Sequence, residues 1–268
     1  MKITSVSNPR VKAAARLRDR RGRDEQGRII IDGVREIDRA IAAGIEVAEL
    51  FYFPQLCQDA EQRAILDAVA RAGCELIEVT PAVMEKLAYG NRVEGLVAVA
   101  PTPRRTLADL QLSADALVAV VEGIEKPGNL GAILRTADAA GVAAVIVAGA
   151  VTDLYNPNAI RASLGAIFTV PVCTAAPQAA RDWLAQHGFR VLTARVDGAI
   201  DYTAADFRGP TAIVLGSEAA GLSSTWQGDD VTSVKLPMLG QVDSLNLSAA
   251  AAVLFYEALR QRRPQSPG

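Results

Sequence analysis

The sequence predicts an α/β protein in two parts, and three observations carry that prediction. Short apolar segments alternate with helical ones over the first hundred residues, and the stretch PTPRRTLADLQLSADA, with two prolines, then breaks the periodicity. Beyond it, continuous apolar runs such as ALVAVV, typical of parallel strands covered on both faces, alternate with helices again. A chain of 268 residues is long enough for two medium domains. The expected division is residues 1–104, a linker over 105–115, and a second domain over 116–268.

Taken in order, VKAAARLRDRR reads as a helix, Gly22 and Gly27 bracket a polar break, and RIIIDG is a strand. VREIDRAIAAG is a helix whose Val34, Ile37 and Ile41 mark one buried face and which Gly44 ends. VAELFYF, CELIEV and GLVAVAP are strands, separated by a helix over Asp59 to Arg71 and a short one with Pro81 in its first turn. Asn91, Arg92 and Glu94 fall in the turn before the last of these strands.

In the second part ALVAVV, the loop GIEKPGNLGA, the helix AILRTADAAG and the strand VAAVIVAG make a βαβ unit. A strand, a glycine loop and a helix in that order present backbone N–H groups to an anion. Arg135, early in that helix, opposes the positive end of the dipole unless an anion such as phosphate holds it there. LYNPNAIRASLGAIFTVPV reads as a loop, a short helix and a strand, APQAARDWLAQHG as a helix, and FRVLTARV as a strand. TAIVLGSEAAGLSSTWQ reads as a strand, a glycine turn and a helix with Glu218 at its start. VKLPM is a strand that Pro237 closes, and LGQVDSLN is a polar loop in which Ser244 or Asn246 caps the last helix. LSAAAAVLFYEALRQRR is that helix, alanine-lined and able to pack closely, with Arg260, Arg262 and Arg263 near the negative end of its dipole.

The net charge of -2 conceals a basic amino end, with nine Lys or Arg against three acids in residues 1–28. Such an arm either contacts phosphates, releasing counterions, or is a solvated helix face. Cys57, Cys74 and Cys173 are far apart and in no C-x-x-C spacing, as expected of reduced thiols in a cytoplasmic protein. A single histidine, His187 before Gly188 at a helix end, argues against a metal site or a Ser-His-Asp triad. No apolar run reaches the roughly 20 residues of a membrane span, and no apolar signal segment comes after the basic start, so no membrane association is expected.

Neither G-x-G-x-x-G nor G-x-x-x-x-G-K-[ST] occurs, which leaves nothing specific for NAD or ATP. Three other stretches do carry a pattern. EKPGNLGAILRTADAAGV holds Asn129, Gly131, Arg135, Thr136 and Ala137; IVLGSEAAGL holds Gly216, Glu218 and Gly221; LPMLGQVDSLNLSAAAAV holds Met238, Gly240, Ser244, Leu245 and Asn246. They resemble, in order and spacing, the three motifs of the SpoU (TrmH-type) branch of the SPOUT RNA methyltransferases. Leu236 and Leu247 stand where the family has Ile and Val. Arg161 and Ser163 in RASLGAIF match a secondary segment of the family, facing the same cleft or bracing the sheet. RIIIDGVREIDRAIAAGIEVAELFY resembles the substrate-binding domain that precedes the catalytic half in many of these proteins.

The resemblance implies S-adenosylmethionine-dependent methylation of a ribose 2'-hydroxyl in structured RNA, 23S ribosomal RNA before tRNA. It also implies a small α/β substrate-binding domain, a parallel-sheet SPOUT domain with a trefoil knot, and a homodimer. Its site residues are Arg135, Asn129, Glu218, Ser244 and Asn246 for catalysis and Leu215, Gly216, Leu236, Met238, Gly240 and Leu245 for the cofactor, with no metal. Arg10, Lys12, Arg35 and Arg161 are the RNA-binding candidates. Arginine stays protonated in ordinary sites, so Arg135 is first a grip on phosphate and negative oxygen and only second a base. Two rival readings stay open, a non-catalytic RNA-binding protein on this fold and a nucleotide-dependent metabolic enzyme on a conventional doubly wound sheet.

Overall fold

The computed structural model describes residues 1–89, 93–149, 152–218 and 220–263; Asn91 and Arg92 lie outside them. Along the chain run β1 (Lys2–Ile3), α1 (Pro9–Arg16), α2 (Arg20–Gln26), β2 (Arg28–Asp32), α3 (Val34–Ala42), β3 (Glu49–Tyr52), α4 (Ala60–Arg71), β4 (Glu75–Val79), α5 (Pro81–Leu87) and β5 (Leu96–Pro101). Then come β6 (Leu117–Glu122), α6 (Pro127–Ala140), β7 (Ala144–Ala148), α7 (Pro157–Ala162), α8 (Ala166–Thr169), β8 (Val172–Ala175), α9 (Pro177–Gln186), β9 (Arg190–Ala194), β10 (Ile200–Asp201), β11 (Thr211–Leu215), β12 (Val231–Lys235) and α10 (Leu247–Arg262).

The first compact unit comprises residues 1–103 and 153–169. Its five-stranded sheet has the order β1-β4-β3-β5-β2, with β5 antiparallel to both neighbours. Val11, Leu17, Phe51, Ile77 and Met84 fill one face. The helix read over VKAAARLRDRR is in fact two. Asn8 caps α1 through a hydrogen bond from the Arg10 N–H and Pro9 opens it, while Gly22 lies inside α2 instead of at a break. A Cβ on Gly22 would stand 2.0 Å from the Arg16 carbonyl oxygen, so the close approach to α1 requires glycine there.

Segment 153–169, which is in the second domain by sequence order, joins the first unit because charge and backbone hold it there. Arg161 donates to Asp32 Oδ2 at 3.0 Å and to the Tyr89 carbonyl, and Arg39 donates to the Leu164 carbonyl at 2.7 Å. The buried Arg23 pairs with Asp153 and donates to the carbonyls of Leu17 and Arg18. Arg161 is therefore a brace of this unit, the second of the two readings that the sequence left open.

The second unit, residues 104–152 and 170–268, carries seven parallel strands in the order β10-β12-β9-β11-β6-β7-β8. Val118, Val120, Ile146, Val214 and Trp226 pack in its core, and the buried Leu254, Phe255 and Ala258 belong to α10, which comes back from β12 to pack on α6. β6 is flanked by β7 on one side and β11 on the other, so the β6/β11 boundary is a switch point, where open α/β sheets bind ligands at the carboxyl ends of their strands.

Four local readings change here. α6 begins at Pro127, a residue suited to the first helical position, so part of the expected loop is its first turn. Arg135 sits in the third turn, clear of the positive end of the dipole, and needs no anion to offset it. Among the described residues no α-helix comes directly after β11, and Glu218 lies in a turn instead of at a helix start. β12 ends at Lys235, before Leu236 and Pro237, where its pairing with β10 runs out. The thiols are free, with Cys57 and Cys173 buried, and His187 Nδ1 lies 2.7 Å from the Trp183 carbonyl oxygen at the end of α9. Among the described residues no helix is long and apolar enough to cross a membrane.

Candidate active site

Three loops at the carboxyl ends of β6, β11 and β12 converge on one carboxylate. Glu218 Oε1 accepts from Asn129 Nδ2 at 3.2 Å, Asn246 Nδ2 at 2.7 Å and the Leu247 N–H at 3.4 Å, and Oε2 accepts from Lys126 Nζ at 3.0 Å. Asn246 is the N-cap of α10, its Oδ1 accepting from the Ser248 N–H at 3.0 Å and the Ser248 hydroxyl at 2.7 Å. With the amide oxygen held by the helix, its nitrogen must face Glu218, so one cap fixes both directions. Asn246 Nδ2 also reaches Asn129 Oδ1 at 3.3 Å. The Lys126 ammonium, first, and the Leu247 N–H hold the Glu218 carboxyl below the usual carboxylate range. It is an anionic acceptor at neutral pH, suited to orienting amides and not to donating a proton.

Beside this cluster lies a cleft of about 380 Å³. Leu215, Val234, Leu236, Met238, Leu245 and Leu254 give it apolar walls, and Arg195, Asp197, Ser217, Glu218, Asp243 and Ser244 give it polar ones. Of the expected cofactor residues Leu215, Gly216, Leu236, Met238 and Leu245 line it; Gly240 does not. The chain's own backbone requires glycine at Gly216. A Cβ there would come within 2.3 Å of the Gly221 backbone, so it admits the chain's own turn rather than a ligand. A smaller hollow of about 100 Å³, lined by Gly123, Ile124, Glu125, Lys126 and Asn129, shares Ser217, Glu218 and Leu247 with the cleft.

The structure thus brings Asn129, Glu218 and Asn246 together and sets Ser244 on the cleft wall, where it makes no hydrogen bond among the described residues. Arg135 is not brought in. It is exposed on α6, lines neither hollow, and has no ion pair or hydrogen bond among the described residues. Six residues along a helix turn it about 120° away from Asn129. Lys126, Arg195 and Asp197 were not picked out from sequence. The Arg195 Nε donates to Asp197 at 3.0 Å and keeps that carboxyl low, and only the place of Lys126 three residues before Asn129 could have flagged it.

The donor set fits S-adenosylmethionine. An apolar wall accepts a flat heterocycle, while Glu218, Asp197 and Asp243 offer negative charge to a sulfonium and an amino group.

Of the RNA candidates in the first unit, Arg10 is held by Glu49 at 2.6 Å and Glu75 at 2.8 Å, so it is not an unpaired cation. Those carboxylates push its already high pKa up further. Most of the basic arm is likewise held by partners within the chain. Glu25 takes Arg16 and Arg21, Asp24 takes Arg20, and Arg18 donates to the Ala88 carbonyl. Lys12, Arg28 and Arg35 remain exposed and free of such partners among the described residues.

A profile of the SpoU rRNA Methylase family matches residues 116–256, and one of an MRM3-like substrate binding domain matches residues 8–98. Over 268 residues the chain is 33% identical to the 23S rRNA (uridine(2479)-2'-O)-methyltransferase of Streptomyces viridochromogenes, covering 97% of this chain and 92% of that one. A crystal structure of an RNA 2'-O ribose methyltransferase is 44% identical with a TM-score of 0.84 over 97% of this chain and 99% of the other. An AdoMet-bound rRNA methyltransferase from Sinorhizobium meliloti is 27% identical with a TM-score of 0.88 over 97% of each. With the family profile spanning the whole seven-stranded unit from β6 into α10, and a relative aligned along nearly the entire chain, this protein belongs to the SpoU rRNA methylase family.

Proposed function

We propose that the protein transfers a methyl group from S-adenosylmethionine to a ribose 2'-hydroxyl of structured RNA, with 23S ribosomal RNA as the substrate. The observation that carries this reading is the meeting of Asn129, Glu218 and Asn246 at the edge of the apolar cleft. When bound, the cofactor supplies a methyl group already activated by a cationic sulfur. The chain's own part is then alignment and charge. Leu215, Leu236, Met238 and Leu245 hold the adenosine portion, and Glu218 directs the Asn129 and Asn246 amides at the reacting ribose. Arg135, which lines neither hollow of its own chain, faces the site only in the assembled pair, where it grips the neighbouring phosphate and stabilises the developing alkoxide, a role that suits an exposed guanidinium with no partner of its own among the described residues.

Residues 1–104, joined by segment 153–169, are the RNA-binding domain, with Lys12 and Arg35 on its exposed surface, and the remainder of residues 116–268 is the catalytic domain. The C-terminal segment is knotted, and two copies assemble through apolar surface that one chain leaves in water. Leu239 is 98% exposed, Val242 65% and Tyr256 51%. The enzyme works in the cytoplasm, where its RNA is. The test is to map 2'-O-methylated nucleotides in RNA from cells with and without the protein. Loss of one ribosomal site supports the reading; loss of a tRNA site transfers it to tRNA; an unchanged map overturns it.

A further inference from the structure

A second carboxylate, outside the cluster on Glu218, holds the turn that carries it. Glu122 is the last residue of β6 and is only 7% exposed. Its Oε2 accepts from the Ser223 N–H and its Oε1 from the Ser223 hydroxyl, both at 2.7 Å. A carboxylate taken this far out of water is costly unless both oxygens are bonded, and here each bond goes to one residue of one loop.

That loop is the turn after β11. Ser217, Glu218, Ala220, Gly221 and Leu222 line the cleft, and Ser223 is the next residue. Ser217 and Gly221 exchange backbone hydrogen bonds at 3.2 and 3.0 Å, and Gly216 packs against Gly221. The turn is thus anchored by β11 at one end and by Glu122 at the other, with Glu218 between.

We infer that Glu122 is a positioning residue for methyl transfer. Acting through Ser223, it sets the 216–222 turn and with it both the cleft wall against the cofactor and the direction of Glu218. The inference rests on the cleft being the S-adenosylmethionine site.

The experiment uses the full-length protein and measures S-adenosylhomocysteine affinity by calorimetry, then the KM for S-adenosylmethionine, kcat and RNA affinity. Glu122→Ala is expected to weaken S-adenosylhomocysteine by about tenfold or more and to raise the KM by a similar factor, with RNA affinity unchanged. Glu122→Gln, which can accept from the Ser223 N–H and donate to its hydroxyl oxygen, recovers most of that loss. Ser223→Ala, which keeps the N–H bond, loses about threefold and carries the test alone if Glu122→Ala does not fold.

A folded Glu122→Ala, or a Ser223→Ala, that binds S-adenosylhomocysteine like the wild type overturns the inference and leaves the cleft assignment standing. RNA and cofactor affinity falling together also overturn it, since that pattern reports general destabilisation. Wild-type protein that binds neither compound removes the cleft assignment and this inference with it.

Discussion

Asn129 and Asn246 lie 117 positions apart and meet on one oxygen, their Nδ2 atoms 3.2 and 2.7 Å from Glu218 Oε1. The α10 cap turns the Asn246 amide nitrogen toward Glu218, and the carboxylate, acceptor-only when ionised, then holds the Asn129 amide beside it. Glu218→Gln puts an N–H₂ group among these donors, and methyl transfer is expected to fall by about 100-fold in single-turnover assays. Because the three act as a unit, adding Asn129→Ala should cost far less than it does alone. Additive losses would show that the amides work independently.

Asn246 has two duties that substitution separates. Asn246→Ala removes the α10 cap and is expected to cost about 1 kcal/mol of stability in denaturant unfolding, along with activity. Asn246→Ser keeps a capping oxygen but has no amide for Glu218, so stability should recover while activity does not. Recovery of both would reduce Asn246 to a helix cap.

Arg135→Ala is expected to leave cofactor binding intact and lower methyl transfer by about 100-fold, as when a placed transition-state donor is removed. The guanidinium lines neither hollow, so calorimetry with S-adenosylhomocysteine should not register its loss. Weakened cofactor binding would place it in the wrong role.

Neutralisation of the basic arm sharpens the RNA prediction. With Arg10, Arg16, Arg20 and Arg21 paired to acids, Lys12 and Arg28 are the cations left facing solvent in helix α1 and strand β2. Lys12→Ala with Arg28→Ala should lower the slope of log K against log salt by roughly 2, one for each phosphate that is no longer neutralised. Arg10→Ala should mainly lower stability, and a changed slope there would restore it as a ligand.

Burial, above all, pushes the Asp32 carboxyl up to about 6. The Tyr89 N–H at 2.5 Å and Arg161 oppose the rise, while Glu94 and Glu36 add to it. The folded chain then holds this proton more tightly than the unfolded chain, whose aspartates titrate near about 3.9. Its contribution to stability is present at acid pH and is lost as pH rises from about 4 through about 6. Relative to Asp32→Asn, wild-type stability should fall by up to about 3 kcal/mol between pH 4 and pH 7 in denaturant unfolding. A constant difference across that range would mean that Asp32 is ionised throughout.

The amino-acid sequence by itself determined the alternation of strands and helices and the polar break between the two halves, local properties set by periodicity and turn chemistry, and its resemblance to the SpoU motifs marked the three residue clusters around Asn129, Glu218 and Asn246. Tertiary structure alone decided that the clusters share one carboxylate, because the carboxyl ends of β6 and β11 become neighbours only in the strand order β9-β11-β6. It also decided that segment 153–169 joins the first unit and that Arg10 is neutralised, since Asp32, Glu49 and Glu75 reach these partners from distant strands. Local pattern says which residues a strand contains; which strand lies beside it depends on packing over the whole sheet, and the site was assembled there.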